Sequence, residues 1–295
     1  MTHEDATPDQ AVVPPDLSGE RLDRAATLLW PGVGLRGRRR LIEAGALTVD
    51  GRARGPAYRV RAGEKLAAQV VPQAPATFVP ADVPILFRSA AYAAVAKPAG
   101  LHSAAIAHGG GQSLEGLLPA LFPDAPTQLL SRLDRLTSGI VPVAFGDGLA
   151  ADYRRAEDAG AVEKTYRCVV HGVIVGPFTI DSRLDTADRA KTRLRPRPDP
   201  DPLRHTHVAP GRVEAGLTLV SCRIAKGARH QIRAHLAGAG HPLVGDPVYG
   251  RGEGQRLFLH CAALVAPQLR VENDPPWTMA EAVAAVGGEK PEGGK

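Results

Sequence analysis

Four prolines, Pro72, Pro75, Pro80 and Pro84, punctuate one short stretch of the chain. Each fixes its own φ, lacks an amide donor and disfavours helix in the residue before it. No helix or central strand is expected to cross such a stretch, so residues 72–83 read as a linker between two modules. A length of 295 residues fits this reading, being longer than one average domain. The two sides differ in charge. Residues 21–70 hold eleven Lys/Arg against four Asp/Glu, whereas the whole chain carries only +5. A basic lobe beside a near-neutral body points to a polyanionic partner, most simply a nucleic acid. A solvated basic face is the plain alternative.

Several function classes are excluded early. The chain has no run of eighteen apolar residues, so no membrane span is expected. Residues 1–10 are polar and acidic and lack the apolar segment of a signal peptide. Cys168, Cys222 and Cys261 sit in separate apolar runs. They read as buried thiols, not disulfides or metal ligands, and imply a cytoplasmic location. There is no G-x-S-x-G, P-loop or H-E-x-x-H. Gly32-Val-Gly-Leu-Arg-Gly37 matches a dinucleotide glycine pattern. A helix and Pro31 precede it, however, and arginines follow where a strand and an acidic residue are needed. His102 with His108, and His205 with His207, lack further ligands at metal spacing. Neither a metal nor a small-molecule cofactor is expected.

Residues 1–17 are acidic and Pro-rich and read as a disordered tail. Ser18 is a candidate helix cap, and Leu22, Ala25, Ala26 and Leu29 then share one helical face. A second helix is expected over 36–44, with Arg36, Arg38, Arg39 and Arg40 at its start and Gly45 closing it. Asp50-Gly51 signals a hairpin. Residues 18–71 thus form a compact basic module of two helices and a small sheet.

The second module spans 84–286, with a tail at 287–295. Strands are expected at 85–87 and 92–96, a helix capped by Ser113 running to Phe122, and a helix over 147–159 capped by Asp147. A strand follows at 163–171, with Lys164, Tyr166 and Cys168 in phase. Residues 181–213, rich in Arg and Pro, read as an irregular basic excursion. A long strand is expected at 214–225, a helix from Lys226 through His235, a core strand at 257–265 and a closing helix at 277–286. Midway lies Leu129-Leu-Ser-Arg-Leu-Asp-Arg-Leu-Thr-Ser-Gly-Ile140. Here Asp134 stands between Arg132 and Arg135 in a polar turn entering a buried strand, a place where a loop carries chemistry on a rigid scaffold. An ordinary surface ion pair is the bland alternative. Asp134, Tyr166 and Arg233, the last in the first turn of a helix, supply a carboxylate, an aromatic and a cation. Only 4% of the chain is aromatic, so few other rings could serve as a platform. The set suits cofactor-free carboxylate chemistry on a nucleoside within RNA. A Ser131/His230/Asp134 triad can be written, but Ser131 and Asp134 are three apart and no nucleophile elbow is visible.

Motif order adds a resemblance. Arg21-Leu-Asp23, the arginine-rich helix ending Leu41-Ile-Glu-Ala-Gly45, Val49-Asp-Gly51 and Arg61-Ala-Gly-Glu64 resemble the S4 RNA-binding domain. That resemblance implies that Arg36, Arg38, Arg39 and Arg40 face RNA, where such contacts position phosphates without reading sequence. Ser131-Arg-Leu-Asp-Arg-Leu-Thr-Ser-Gly139 resembles the central motif of RluA-type pseudouridine synthases. Lys97-Pro-Ala-Gly100, Glu163-Lys-Thr-Tyr166, His230-Gln-Ile-Arg233, Gly245-Asp-Pro-Val-Tyr249 and Leu259-His260 stand in the family's order. The resemblance implies an α+β fold whose mixed, largely antiparallel sheet carries the active-site cleft. It implies isomerisation of uridine in structured RNA, most simply large-subunit ribosomal RNA, without metal or cofactor. It makes Asp134 the catalytic carboxylate, Tyr166 the ring under the uracil, Arg233 the partner of Asp134, and Arg132 the side chain that replaces the extruded nucleotide. Ser131 stands where the family has His, Ala96 where it has Asn, and Lys226-Gly-Ala-Arg229 lacks the family's threonine. A non-catalytic RNA-binding assembly factor on the same fold is the competing reading.

Overall fold

The computed structural model describes residues 10–43, 46–68, 77–105, 112–188, 191–252, 254 and 256–287. Residues 1–9 and 288–295 of the expected tails, 72–76 of the linker, Gly45, and His108 with its glycines lie outside these. The chain divides into two units, 1–77 and 78–295.

In the first unit, strand β1 (Gln10–Val12) is followed by helices α1 (Leu22–Ala25) and α2 (Leu35–Glu43) and strands β2 (Leu47–Val49), β3 (Arg52–Ala53) and β4 (Lys65–Ala68). The strands make an antiparallel sheet in the order β1-β4-β2-β3. Leu22, Ala25, Ala26, Leu29 and Trp30 pack on Ile42, Leu47, Val49, Val60 and Leu66. The turn Asp50-Gly51 has positive φ at both residues, as a tight two-residue hairpin requires. Two expectations need correction. Residues 10–17, read as tail, are ordered, because Val13 is buried in the core and β1 pairs with β4. Ser18 closes a short 3-10 turn at Pro15–Leu17, and α1 is capped by Arg21.

The second unit comprises β5 (Ile85–Arg88), β6 (Tyr92–Lys97), α3 (Leu114–Leu121), β7 (Gln128–Leu129), β8 (Ser138–Ala144), α4 (Asp147–Asp158) and β9 (Glu163–His171). It continues with β10 (Phe178–Ile180), β11 (Ser182–Asp185), β12 (Arg193–Pro198), β13 (Thr206–Glu214), β14 (Leu217–Ile224), α5 (Gln231–Gly238), β15 (Leu259–Ala266), β16 (Leu269–Glu272) and α6 (Met279–Gly287). Ten strands form one sheet, β10-β13-β14-β9-β15-β8-β6-β5, with β16 on β15 and β7 on β8. Among the described strands of this sheet only the β8–β15 pair is parallel. Strand β8 is buried along its whole length, as its apolar run from Ile140 demands. At Gly139 (φ +116°) a Cβ would lie 2.3 Å from the Cys261 carbonyl oxygen, so only glycine allows β8 and β15 to meet there. Ser113 caps α3 by accepting the Gly116 amide at 3.2 Å.

Residues 78–83, read as linker, pack in this unit, because Val83 is buried and Phe78 bonds Gln112 through its backbone. The described part of residues 181–213 carries strands where an irregular excursion was expected. β11 and β12 form a hairpin outside the main sheet, and β13 pairs with β14. An exposed hairpin tolerates proline and arginine, so composition alone resembled a loop. The long strand expected at 214–225 is broken by Ala215-Gly216, both at positive φ, which turns β13 into β14. Asp147 is the first residue of α4, and Gly146 (φ 126°) holds the cap position. Helix α5 starts at Gln231, which keeps Arg233 in its first turn. Among the described residues no helix is long and apolar enough to cross a membrane.

Candidate active site

The turn between β7 and β8 carries Asp134, and its backbone is bolted down on both sides. The Leu133 amide donates to Ser103 Oγ at 2.9 Å, and Ser103 Oγ donates back to the Leu133 carbonyl at 2.8 Å. The Thr137 amide donates to the Asp134 carbonyl at 3.0 Å, and the Gly100 amide to the Arg135 carbonyl at 2.7 Å. Lys97, at the end of β6, adds a third fastening. Its ammonium donates to the carbonyls of Pro98 and Leu101 at 2.8 Å and of Arg135 at 3.4 Å. Burial pushes this lysine down to about 7, with Asp134 opposing that shift and Arg135 adding to it.

Opposite the turn, Arg233 bridges two carboxylates. Its Nε and Nη2 donate to the two oxygens of Asp246, each at 2.8 Å. Its Nη1 donates to Asp134 Oδ2 at 3.2 Å. Asp246 is 0% exposed and also accepts the amides of Val248 and Tyr249 at 2.8 and 3.1 Å. Burial pushes the Asp246 carboxyl up, but the Arg233 hydrogen bonds and charge, with those two amides, outweigh it and leave its pKa below the ordinary value. Burial likewise works against the Arg233 cation, and Asp246 and then Asp134 more than restore it. This two-oxygen grip fixes the guanidinium plane and aims the remaining nitrogen at Asp134.

His230 precedes α5 with φ 55°, a left-handed conformation uncommon for so bulky a residue. Its Nδ1 lies 3.1 Å from the Tyr249 hydroxyl and its Nε2 3.8 Å from Asp134 Oδ2. Burial lowers its pKa, so the ring is neutral at pH 7. The Tyr249 hydroxyl accepts the Thr192 amide at 2.6 Å and donates to the Thr192 carbonyl at 3.1 Å. Arg233 stacks on the same ring, 5.3 Å from its centroid.

Tyr166, on β9, is buried, and burial drives its phenol well above the ordinary value, with Cys261 and Asp134 adding to the effect. Cys261 is its direct partner across the β9–β15 pair. Asp134, Tyr166 and Arg233 therefore line one cavity of about 890 Å³, together with Arg132, His230 and Lys164. The arrangement presents a carboxylate with one fixed cation, a flat aromatic wall and a neutral imidazole, all facing one volume.

The five arginines read as RNA contacts differ in their surroundings. Arg132 is exposed on the cavity rim, and Arg36 is exposed on α2. Arg38 donates to the carbonyls of Asp23 and Val33 at 2.8 and 2.6 Å, an internal fastening of α2. Arg39 donates to the Asp23 carboxylate at 2.6 Å while its side chain stays partly exposed. The side chain of Arg40 lies outside what is described. The hydrolase triad fails on geometry, since the Ser131 hydroxyl makes no hydrogen bond to His230, whose Nδ1 engages Tyr249. Asp246, Lys97 and Tyr249 were legible only as members of short motifs. No local pattern showed that Asp246 would fold back under Arg233.

Residues 91–238 match the family described as RNA pseudouridylate synthase. The chain is 32% identical over 260 residues to ribosomal large subunit pseudouridine synthase D of Xanthomonas campestris pv. campestris, covering 83% of this chain and 76% of that protein. It is 32% identical over 261 residues to the protein of the same name from Pseudomonas aeruginosa, covering 81% and 77%. Among solved structures it resembles human RNA pseudouridylate synthase domain containing 1, with a TM-score of 0.56 and 25% identity over 70% of this chain and 89% of that one.

Proposed function

The chain belongs to the RNA pseudouridylate synthase family, and from that premise we propose that it isomerises uridines of large-subunit ribosomal RNA with Asp134 as the catalytic carboxylate. The observation that carries the assignment is the Asp134–Arg233 contact of 3.2 Å inside a cavity that Tyr166 also lines. The target nucleotide leaves the stack to reach that cavity, at a cost of a few kcal/mol. Asp134 then acts at the sugar, either attacking C1′ or removing the C2′ proton. The N1–C1′ bond breaks, the uracil turns, and C5 bonds to C1′. The C5 proton is lost and N1 regains one, so the product is an isomer and no co-reactant is needed.

Each further residue has a part in this scheme. Tyr166 retains its proton at neutral pH because burial raises its phenol, so it serves as the face on which uracil turns and not as a standing base. Arg233 orients Asp134, and its charge lies where negative charge develops on the detached uracil. Arg132, exposed on the rim, fills the gap left in the RNA. The N-terminal unit, read as an S4-like domain, adds sequence-independent affinity through exposed cations such as Arg36. Three buried free thiols and a ribosomal substrate support action in the cytoplasm. The test is pseudouridine mapping of total RNA from cells with and without the protein. At least one ribosomal uridine is expected to lose its modification in the absence of the protein. An identical map from both cell lines refutes the assignment and favours an assembly factor without turnover.

A further inference from the structure

The cavity reaches well past Asp134. At about 890 Å³ it lies near the top of the range that encloses a whole drug-sized ligand, so a single uridine fills only part of it. Helix α4 contributes to its wall, since Arg154 and Glu157 line the volume together with Lys164. The Arg154 side chain is exposed and makes no hydrogen bond or ion pair among the described residues. Glu157 would repel an anion at the same wall, but the buried Lys164 ammonium holds its carboxylate in an ion pair. Arg155, the next residue, is engaged by Asp152 and does not line the cavity. Arg132 and Arg135 line the same volume from the Asp134 turn, and their exposed side chains make no hydrogen bond or ion pair among the described residues.

We propose that Arg154 binds the phosphodiester of a nucleotide flanking the target uridine, so that the cavity takes the target together with a neighbour. The proposal rests on the reading of this cavity as a pseudouridine synthase site. A free guanidinium matches two phosphate oxygens in its own plane. Turning a base out of its stack rotates it about its backbone, and α4 lines the same cavity as the turn that carries Arg132. A helix also holds its cation more rigidly than a loop does, which suits a group that sets register.

Arg154→Ala and Arg155→Ala remove the same charge from adjacent positions of one helix, so long-range field effects cancel between them. Binding of the full chain to an oligouridylate of about five nucleotides, a probe within the 4–16-nucleotide range of single-strand sites, is measured over a salt series. Pseudouridine formation on ribosomal RNA from cells lacking the protein is followed on the same preparations. Arg154→Ala is expected to weaken oligouridylate binding by about five- to tenfold and to flatten the salt slope by about 0.7, the value for one phosphate on a single strand. It is also expected to raise KM more than it lowers kcat. Arg154→Lys is expected to restore the salt slope but only part of the affinity, because it returns the charge without the planar fork, and Arg155→Ala to stay within about twofold of wild type. Equal losses in the two alanine variants, or an unchanged slope in Arg154→Ala, overturn the subsite. Wild-type protein that binds with this dependence on Arg154 yet forms no pseudouridine supports the subsite and overturns the assigned reaction.

Discussion

The tetrapeptide Arg-Leu-Asp-Arg occurs twice, at 21–24 and at 132–135, and the two copies fold into opposite environments. In the first, Asp23 is fully buried and both of its oxygens are engaged by arginines. Arg21 donates to it from Nε at 3.1 Å and from Nη2 at 2.8 Å, and Arg39 donates at 2.6 Å. Led by the Arg21 hydrogen bonds, and against burial, these cations hold its carboxyl down to about 2. In the second copy, Leu133 is buried in the same way, but Asp134 keeps its side chain 22% exposed. Neither Arg132 nor Arg135 bonds to it, and its cation comes from Arg233, 99 residues along the chain. A carboxylate with both oxygens engaged by arginines is a clamp; one with an open face and a single fixed partner is available to a substrate. Local sequence cannot tell these apart, because the difference lies in where the other arginines are delivered.

The sharpest way to break this contrast is to make the same change in both copies. Asp134→Asn is expected to lower pseudouridine formation by at least about 10³-fold, as for loss of an essential catalytic group, with little change in thermal midpoint. Asp23→Asn is expected to leave turnover near wild type and to destabilise the N-terminal unit by about 2 kcal/mol, less than for a fully buried pair because its arginines are part-exposed. Similar activity losses in both variants, measured on folded protein, would erase the distinction.

Next in size is the support behind Arg233. Asp246→Asn leaves the guanidinium with a poorer grip, and a misplacement of about 1 Å is enough for a loss of about 10²-fold in kcat. Single-turnover rates on ribosomal RNA check this, and a kcat within twofold of wild type would make Asp246 a packing residue only.

Two pH effects are smaller; both raise stability as pH rises, but in different pH windows. Lys97 titrates at about 7 in the folded state, far below an unfolded lysine. Between those values the unfolded chain binds more protons, so stability rises with pH. Relative to Lys97→Met, wild type is expected to gain about 2 kcal/mol from pH 7 to 9, read by chemical denaturation. Asp23 has a depressed pKa, so its stabilisation is present above the unfolded value near 4 and is lost as pH falls toward about 2. That loss is expected to be about 1 kcal/mol after allowance for part-exposed arginines, and to be absent in Asp23→Asn. A wild-type acid profile identical to that of the variant would show that the Asp23 cluster carries no such term.

Much of the fold was legible because its signals are local. The proline-rich break, the Asp50-Gly51 turn, the Ser113 cap and the apolar run of β8 each follow from one residue's own conformational or solvation preference. The β11–β12 hairpin was missed because an edge hairpin lacks the apolar alternation of a half-buried strand and carries arginine and proline instead. The tail was drawn too long because a three-residue strand, β1, has no period to detect, and its order depends on pairing with β4.

The site divides along the same line. Residue type and spacing singled out Asp134, Tyr166 and Arg233, since their chemistry is carried in the side chains themselves. Asp246 as the second anchor of Arg233, Lys97 as the bolt on the Asp134 turn, and Arg38 as an internal fastening were decided only by the fold. Hydrogen bonds and Coulomb interactions act over a few ångströms of space and not over sequence distance, so which cation meets which carboxylate is known only once the chain has closed on itself.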